Sequence, residues 1–174
     1  MSDHALFCSN TEVVPAGAAD ALLKRTAANT GWEFKTSAQL GLSPTLLQSV
    51  FTEQATDTTT ASAAFVTLLT QAITISAGSI LLIEVTASFS NTAANNNMDI
   101  QLVIDGTAVR GCGTRSLVVN QATSTAIVYR KTGLAVGAHT ILVQWRTPGG
   151  GTARCRPVTT VNEHASIMVQ EVTV

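Results

Sequence analysis

The sequence predicts an all-β protein, an antiparallel jelly-roll sandwich preceded by an N-terminal arm with a short hairpin, and three observations carry that prediction. First, apolar and polar residues alternate with a period of two: from His139 to Arg146 one face holds His139, Ile141, Val143 and Trp145, the other Thr140, Leu142, Gln144 and Arg146. Second, Ala77-Gly78, Asn95 to Asn97, Asp105-Gly106, Gly111 to Gly113, Gly137 and Gly149 to Gly151 punctuate the chain at sandwich spacing. Third, eight or more short strands follow one another after Phe51 without a helix, as in a jelly roll.

Taken in order, residues 1–50 form the arm. Leu22 to Thr26 and Trp32 to Lys35 flank Ala27 to Gly31 as a hairpin, with Asn29 and Gly31 suited to positive φ. Gly41 and Pro44 limit any helix to a turn or two around Thr45 to Val50. The arm carries Leu6, Phe7, Val13, Val14, Leu22, Leu23, Trp32 and Phe34, too few to close a core alone, so it is expected to lie against a partner through Phe7, Leu22, Leu23, Trp32 and Phe34.

Residues 51–174 form the sandwich. Strands are expected at Ala64 to Thr70, Ile80 to Phe89, Met98 to Ile104, Thr107 to Arg110, Arg115 to Val119, Thr123 to Lys131, His139 to Thr147, Thr152 to Pro157 and Ala165 to Thr173. Asp105-Gly106 between LVI and TAV is the strongest turn signal, because a two-residue turn of the primed type needs positive φ. In the last strand Ile167 and Val169 point one way while Met168 and Val172 point the other. Both faces want cover, which suggests a second layer or a neighbouring subunit over that strand, with Ile167, Met168, Val169 and Val172 as interface residues.

Composition agrees with an assembly subunit. Charged residues make up 12% of the chain, against about 25% in an average soluble domain. A weakly charged, Thr-rich β surface is a liability for a monomer but tolerable where symmetric contacts cover it. The net charge of -1 gives no basic footprint for nucleic acid or an anionic membrane. No run approaches the roughly eighteen apolar residues of a membrane span, and MSDHALFCSN lacks the pattern of a signal peptide, so synthesis in a cytoplasm is expected. Cys8, Cys112 and Cys155 are too few and scattered for a disulfide framework or zinc knuckle, and a Cys112–Cys155 bridge stays open.

Little in the chain points to chemistry. His4, His139 and His164 are isolated, the latter two at strand starts, where capping or loop roles are expected. No H-E-x-x-H, G-x-S-x-G or C-x-x-C occurs, and Gly149 to Gly151 lacks the Lys-Ser/Thr of a P-loop, so it reads as a flexible hairpin loop. Glu84, Asp99 and Asp105 give no calcium pattern, Asp105 being accounted for by its turn. Trp145, between Ile141 and Val143, reads as a core or interface anchor. No enzyme activity, metal or cofactor is expected.

The succession AGSILLIEVTASFSN, MDIQLVIDGTAV, VGAHTILVQWRT, a Gly-rich loop and HASIMVQEV resembles the trimeric jelly-roll heads of tailed-bacteriophage virion proteins, which share the tumour necrosis factor-like and complement-head architecture. The resemblance covers roughly residues 60–174. Separately, PAGAADALLKRTAANTGWEFK is similar to the G-x-x-x-x-L-x-K...W attachment modules of phage fibres and decoration proteins. The resemblance implies a homotrimer on a virion surface. One role is a capsid decoration, or cement, subunit whose arm docks on the major capsid protein. The other is a tail-fibre or receptor-binding head that recognises a host glycan or protein through the loops Asn91 to Asn97, Gly111 to Thr114 and Gly149 to Gly151. The chain has no heptad run or repeat to build a fibre shaft, which favours decoration.

Overall fold

The computed structural model describes residues 44–155 and 164–173, together with the backbone of two strands near the start of the chain. The chain divides into two compact units, Met1–Thr45 and Leu46–Val174. In the first unit, β1 (Ala21–Arg25) and β2 (Trp32–Thr36) pair antiparallel, with Leu22 across from Lys35, Leu23 across from Phe34 and Arg25 across from Trp32. The expected hairpin is present within a residue at each boundary. The side chains of Leu22, Leu23, Trp32 and Phe34, and Phe7 altogether, lie outside the described residues.

The second unit is built from β3 (Thr45–Glu53), β4 (Thr58–Thr60), β5 (Val66–Ile75), β6 (Ile80–Asn91), β7 (Asn96–Ile104), β8 (Thr107–Ser116), β9 (Thr123–Lys131), β10 (Gly137–Arg146), β11 (Ala153–Cys155) and β12 (Ala165–Thr173). One sheet has the order β5-β10-β7-β8. In the other, β6 is flanked by β9 and β12, with β3 beyond β12; β11 takes up pairing with β6 at Ser90 and Asn91, past the point where β12 leaves it at Ala87, and β4 lies beside β11. The two sheets form the expected jelly-roll sandwich, and no helix occurs among the described residues.

Three local expectations are corrected. Thr45 to Val50 is not a helical turn but the start of β3: Gln48 and Thr52 face β5, bonding the Thr74 carbonyl at 2.5 Å and Gln71 Oε1 at 2.5 Å, and Val50 packs on the core. Residues 46–50 therefore belong to the sandwich and not to the arm. Gly111 to Gly113 is not a turn. It runs inside β8, where Gly111 pairs with Gln101 and Gly113 with Asp99, so the two strands expected on either side are one.

Between the sheets, inward residues of alternating strands close a single core. Phe89 of β6 meets Trp145 of β10 across it, ring centroids 5.4 Å apart and tilted by 34°, an arrangement that adds about 0.5–1.5 kcal/mol beyond the area buried. Leu102, Ile141, Val143 and Ile167 are fully buried around this pair, each contributing about 1.5–3 kcal/mol. The Asp105-Gly106 turn has the expected geometry, with φ of 48° and 80°.

Candidate interaction surface

Strand alternation decides what each sheet shows to solvent. On β12, Ile167 and Val169 are wholly buried in the protomer's own core, so they offer nothing to a neighbouring subunit and their assignment as interface residues is corrected. Val172, at 9% exposure, is also nearly enclosed. Val172 shares the parity of Met168, so of the four only Met168 stays partly open on the outer face, beside Glu84, which pairs in turn with Val128. The next row is Gln170, Leu82 and Arg130, and the row after it Ser166, Thr86 and Ala126.

That outer face exposes apolar residues along β3 and, among Glu84, Gln170 and Arg130, at Leu82 and Val128. Val128 is 78% exposed, Phe51 60%, Leu47 44% and Leu82 39%. Because Gln48 and Thr52 face inward to β5, alternation turns Leu47 and Phe51 to the opposite side, the side of Met168, Leu82 and Val128. Met168, Leu82, Val128 and Arg130 border a depression of ≈ 250 Å³. Further along β6 and β9 lies a groove of ≈ 570 Å³, floored by Thr86, Ser88 and Ser124 and bordered by His164, whose Nδ1 is buried without a hydrogen-bond partner among the described residues. Sequence reasoning named Met168 but missed Leu82, Val128 and Phe51. The signal was available for Leu82: ILLIEV is apolar on consecutive positions, which a strand buried on one face does not require.

The opposite outer face, on β10-β7-β8, is polar. Arg146 Nε donates to Asp99 Oδ2 at 2.9 Å, with the Arg146 guanidinium 4.4 Å from the centroid of the Phe65 ring, and Gln101 Nε2 donates to Gln144 Oε1 at 2.7 Å. Glu84, Asp99 and Asp105 stand on different parts of the molecule, and no group of three metal-ligating side chains occurs among the described residues.

The loops at one end of the sandwich are tied together. Asn91 Nδ2 donates to Thr147 Oγ1 at 3.0 Å while its Oδ1 accepts the Ala93 N–H at 2.8 Å, and Asn96 Nδ2 donates to the Gly150 carbonyl at 2.6 Å. Gly150 and Gly151 have φ of 93° and 69°. A Cβ at Gly149 would run into Asn96 Oδ1 and one at Gly151 into Asn91 Oδ1. The expectation of a flexible Gly149 to Gly151 loop is therefore corrected: the glycines make room for two asparagine side chains that pin it.

Two ionisable clusters hold other parts of the fold. His139 Nδ1 lies 2.6 Å from Asp105 Oδ2 and its Nε2 2.8 Å from the Ala135 carbonyl, while Asp105 Oδ1 accepts the Thr140 N–H at 2.9 Å. Both ring nitrogens thus face acceptors. The hydrogen bond to Asp105, and then that to Ala135, raises the His139 pKa, while the bond to His139, and then the Thr140 N–H, lowers that of Asp105. Glu171, on the inward parity of β12, is 1% exposed. Burial pushes its pKa up, but hydrogen bonds from the Ser76 N–H and Gln48 outweigh it and the net shift is downward. Cys112 and Cys155 form no disulfide: Cys112 Sγ lies 3.0 Å from Thr125 Oγ1, and Cys155 is buried. Trp145 is a core residue.

No protein-family model matches the chain, and no curated protein matches it. Among solved structures it is similar to the infectious bursal disease virus VP2 subviral particle, at 11% identity and a TM-score of 0.43, over 88% of this chain and 44% of that one. The structure of the Gx strain of the same virus aligns at 13% identity and a TM-score of 0.40, over 87% and 43%. The insecticidal delta-endotoxin Cry8Ea1 of Bacillus thuringiensis aligns at 11% identity and a TM-score of 0.41, over 67% and 20%. The chain thus spans less than half the length of each.

Proposed function

We propose that this chain is a structural virion protein of a tailed bacteriophage, a capsid decoration subunit that forms a trimer through the outer face of β3-β12-β6-β9 and docks on the major capsid protein by its N-terminal segment. One observation carries the reading: the two outer faces of the sandwich differ. One is a paired polar surface, whereas the other exposes Phe51, Leu47, Leu82 and Val128 together with Met168. Exposed apolar residues gathered on one face mark an interface, and a weakly charged chain is served by covering them with further copies of itself. The strand orders β5-β10-β7-β8 and β3-β12-β6-β9 support the trimeric-head resemblance.

Light scattering on the purified chain tests the assembly. Wild type is expected as a trimer, and V128D as a folded monomer, since an exposed position tolerates charge within the protomer but not in a dry interface. V169D serves as the contrast, because it places the charge in the core and should not fold. A monomeric wild type at micromolar concentration overturns the reading. Attachment is tested with the whole chain on particles lacking it: W32A/F34A should bind more weakly than wild type. Should wild type bind host cells and not bare capsids, the receptor-binding role replaces decoration.

A further inference from the structure

The polar outer face of β10-β7-β8 is not used by the assembly proposed above. A depression of ≈ 250 Å³ opens on it, bordered by Phe65, Asp99, Gln101, Gly111 and Arg146. Its polar groups are arranged so that each is half engaged. Arg146 spends its Nε on Asp99 Oδ2, leaving its two terminal amino groups without a protein partner among the described residues; Asp99 keeps Oδ1 available in the same sense. Gln101 Nε2 donates to Gln144 Oε1, which leaves an amide acceptor on Gln101 and an amide donor on Gln144. Donors and acceptors therefore lie side by side, held in place by their own pairing.

The glycines of β8 add an independent observation. Gly111 and Gly113 share this outer face, across from Gln101 and Asp99. Neither has positive φ, so the backbone does not demand glycine there. Glycine inside a strand weakens it and often marks close approach by a ligand or another backbone. A Cβ at Gly113 would stand 2.7 Å from Asp99 Oδ1, whereas one at Gly111 would meet only the Ile100 carbonyl at 3.4 Å and Gln101 Cβ at 3.9 Å. The first glycine keeps the carboxylate unobstructed; the second leaves the floor flat although a side chain would fit.

We propose that this depression is a binding site for a hexose unit of a neutral glycan. Sugar hydroxyls donate and accept at once, and vicinal pairs match the adjacent oxygens and nitrogens of carboxylate, guanidinium and amide groups. A phosphate or other anion is disfavoured because Asp99 already neutralises Arg146 and would repel it. An apolar ligand would desolvate the ion pair without replacing its water. The flat floor at Gly111 lets a pyranose ring approach the backbone, and the stacking of Arg146 on Phe65 holds the guanidinium plane in position.

The test uses the whole chain on an array of neutral mono- and oligosaccharides, followed by calorimetric titration with the saccharide retained. D99N, which keeps the shape and removes the charge, should weaken binding by about tenfold or more. G111V should abolish binding while leaving the melting temperature equal or higher, because valine suits a strand and its side chain fills the floor. V128D, on the other sheet, should bind saccharide as wild type does, which separates failure of this site from failure of the trimer. Retention of no neutral saccharide, or unchanged affinity in both D99N and G111V, overturns the proposal.

Discussion

Replacing Glu171 with glutamine removes the charge of a buried carboxylate and changes one of its oxygens into an amino group, among hydrogen bonds that are all donated to the carboxylate. Oε1 accepts the Ser76 N–H at 2.6 Å and Oε2 accepts Gln48 Nε2 at 2.5 Å, and the same Gln48 Nε2 donates to the Thr74 carbonyl at 2.5 Å. In E171Q the amide oxygen can stay on Ser76, but its amino group then faces that of Gln48. Turning Gln48 over would relieve this and set its oxygen against the Thr74 carbonyl. One charge-assisted bond is therefore lost and the others are weakened to neutral ones, at a cost of about 1.5–3 kcal/mol. Against a total stability of about 5–15 kcal/mol this is a large fraction, and at a urea slope of about 1–3 kcal/mol/M it moves the midpoint by roughly 1 M. The pH dependence has a definite sign. The folded pKa of Glu171 lies below its ordinary value of 4.5, so its contribution is present above that value and lost as pH falls through the folded pKa. Urea titrations at neutral pH and below pH 4 should show the gap between wild type and E171Q narrowing in acid. Coincident midpoints at neutral pH would refute the reasoning.

The clasp between His139 and Asp105 predicts a second pH dependence. The raised His139 pKa means that its contribution is complete below the ordinary value of 6.5 and lost as pH rises through the folded pKa; that of Asp105 is complete above 3.8 and lost as pH falls through its lowered one. H139A should flatten the alkaline side of a melting-temperature profile, and an unchanged profile would exclude the pairing. At the tied loop, G151A should cost about 2 kcal/mol or more, since the residue has φ of 69° and its Cβ would displace Asn91. G78A, with φ of 73° but open space around it, should cost only the conformational part, about 1 kcal/mol, and equal losses in the two variants on thermal denaturation would contradict the steric account.

Much of the sandwich was legible because local pattern and tertiary role agree. Ile141, Val143 and Trp145 alternate in the sequence and are buried in the structure, and Thr123–Lys131 and Ala165–Thr173 stand where alternation put them. Where the reading failed, the deciding partner was distant. Leu46 to Phe51 is apolar on both parities, and only pairing with β12 and bonds to β5 make it a strand. Gly111 and Gly113 look like a turn until Asp99 and Gln101 stand opposite them. On β12 the alternation was right but the inner side was not identifiable, because the inward set contains Glu171, whose satisfaction by Ser76 and Gln48 no local pattern announces. The candidate surface shared this limit: Met168 was named, while Val128 and Phe51 became neighbours of that face only through sheet order.

That sheet order also has a kinetic consequence. β10 inserts between β5 and β7, and β12 between β3 and β6, so each sheet stays divided until a strand made late in the chain has arrived. Before residue 137 is synthesised β5 has no partner in its sheet, and before residue 165 β3 has none. Closure of the core is thus a late step, tied to sequence-distant pairings that in all-β folds proceed over milliseconds to seconds. During that interval the chain carries unpaired apolar strands, the kind of exposed edge through which partly folded copies associate with one another before β12 is in place.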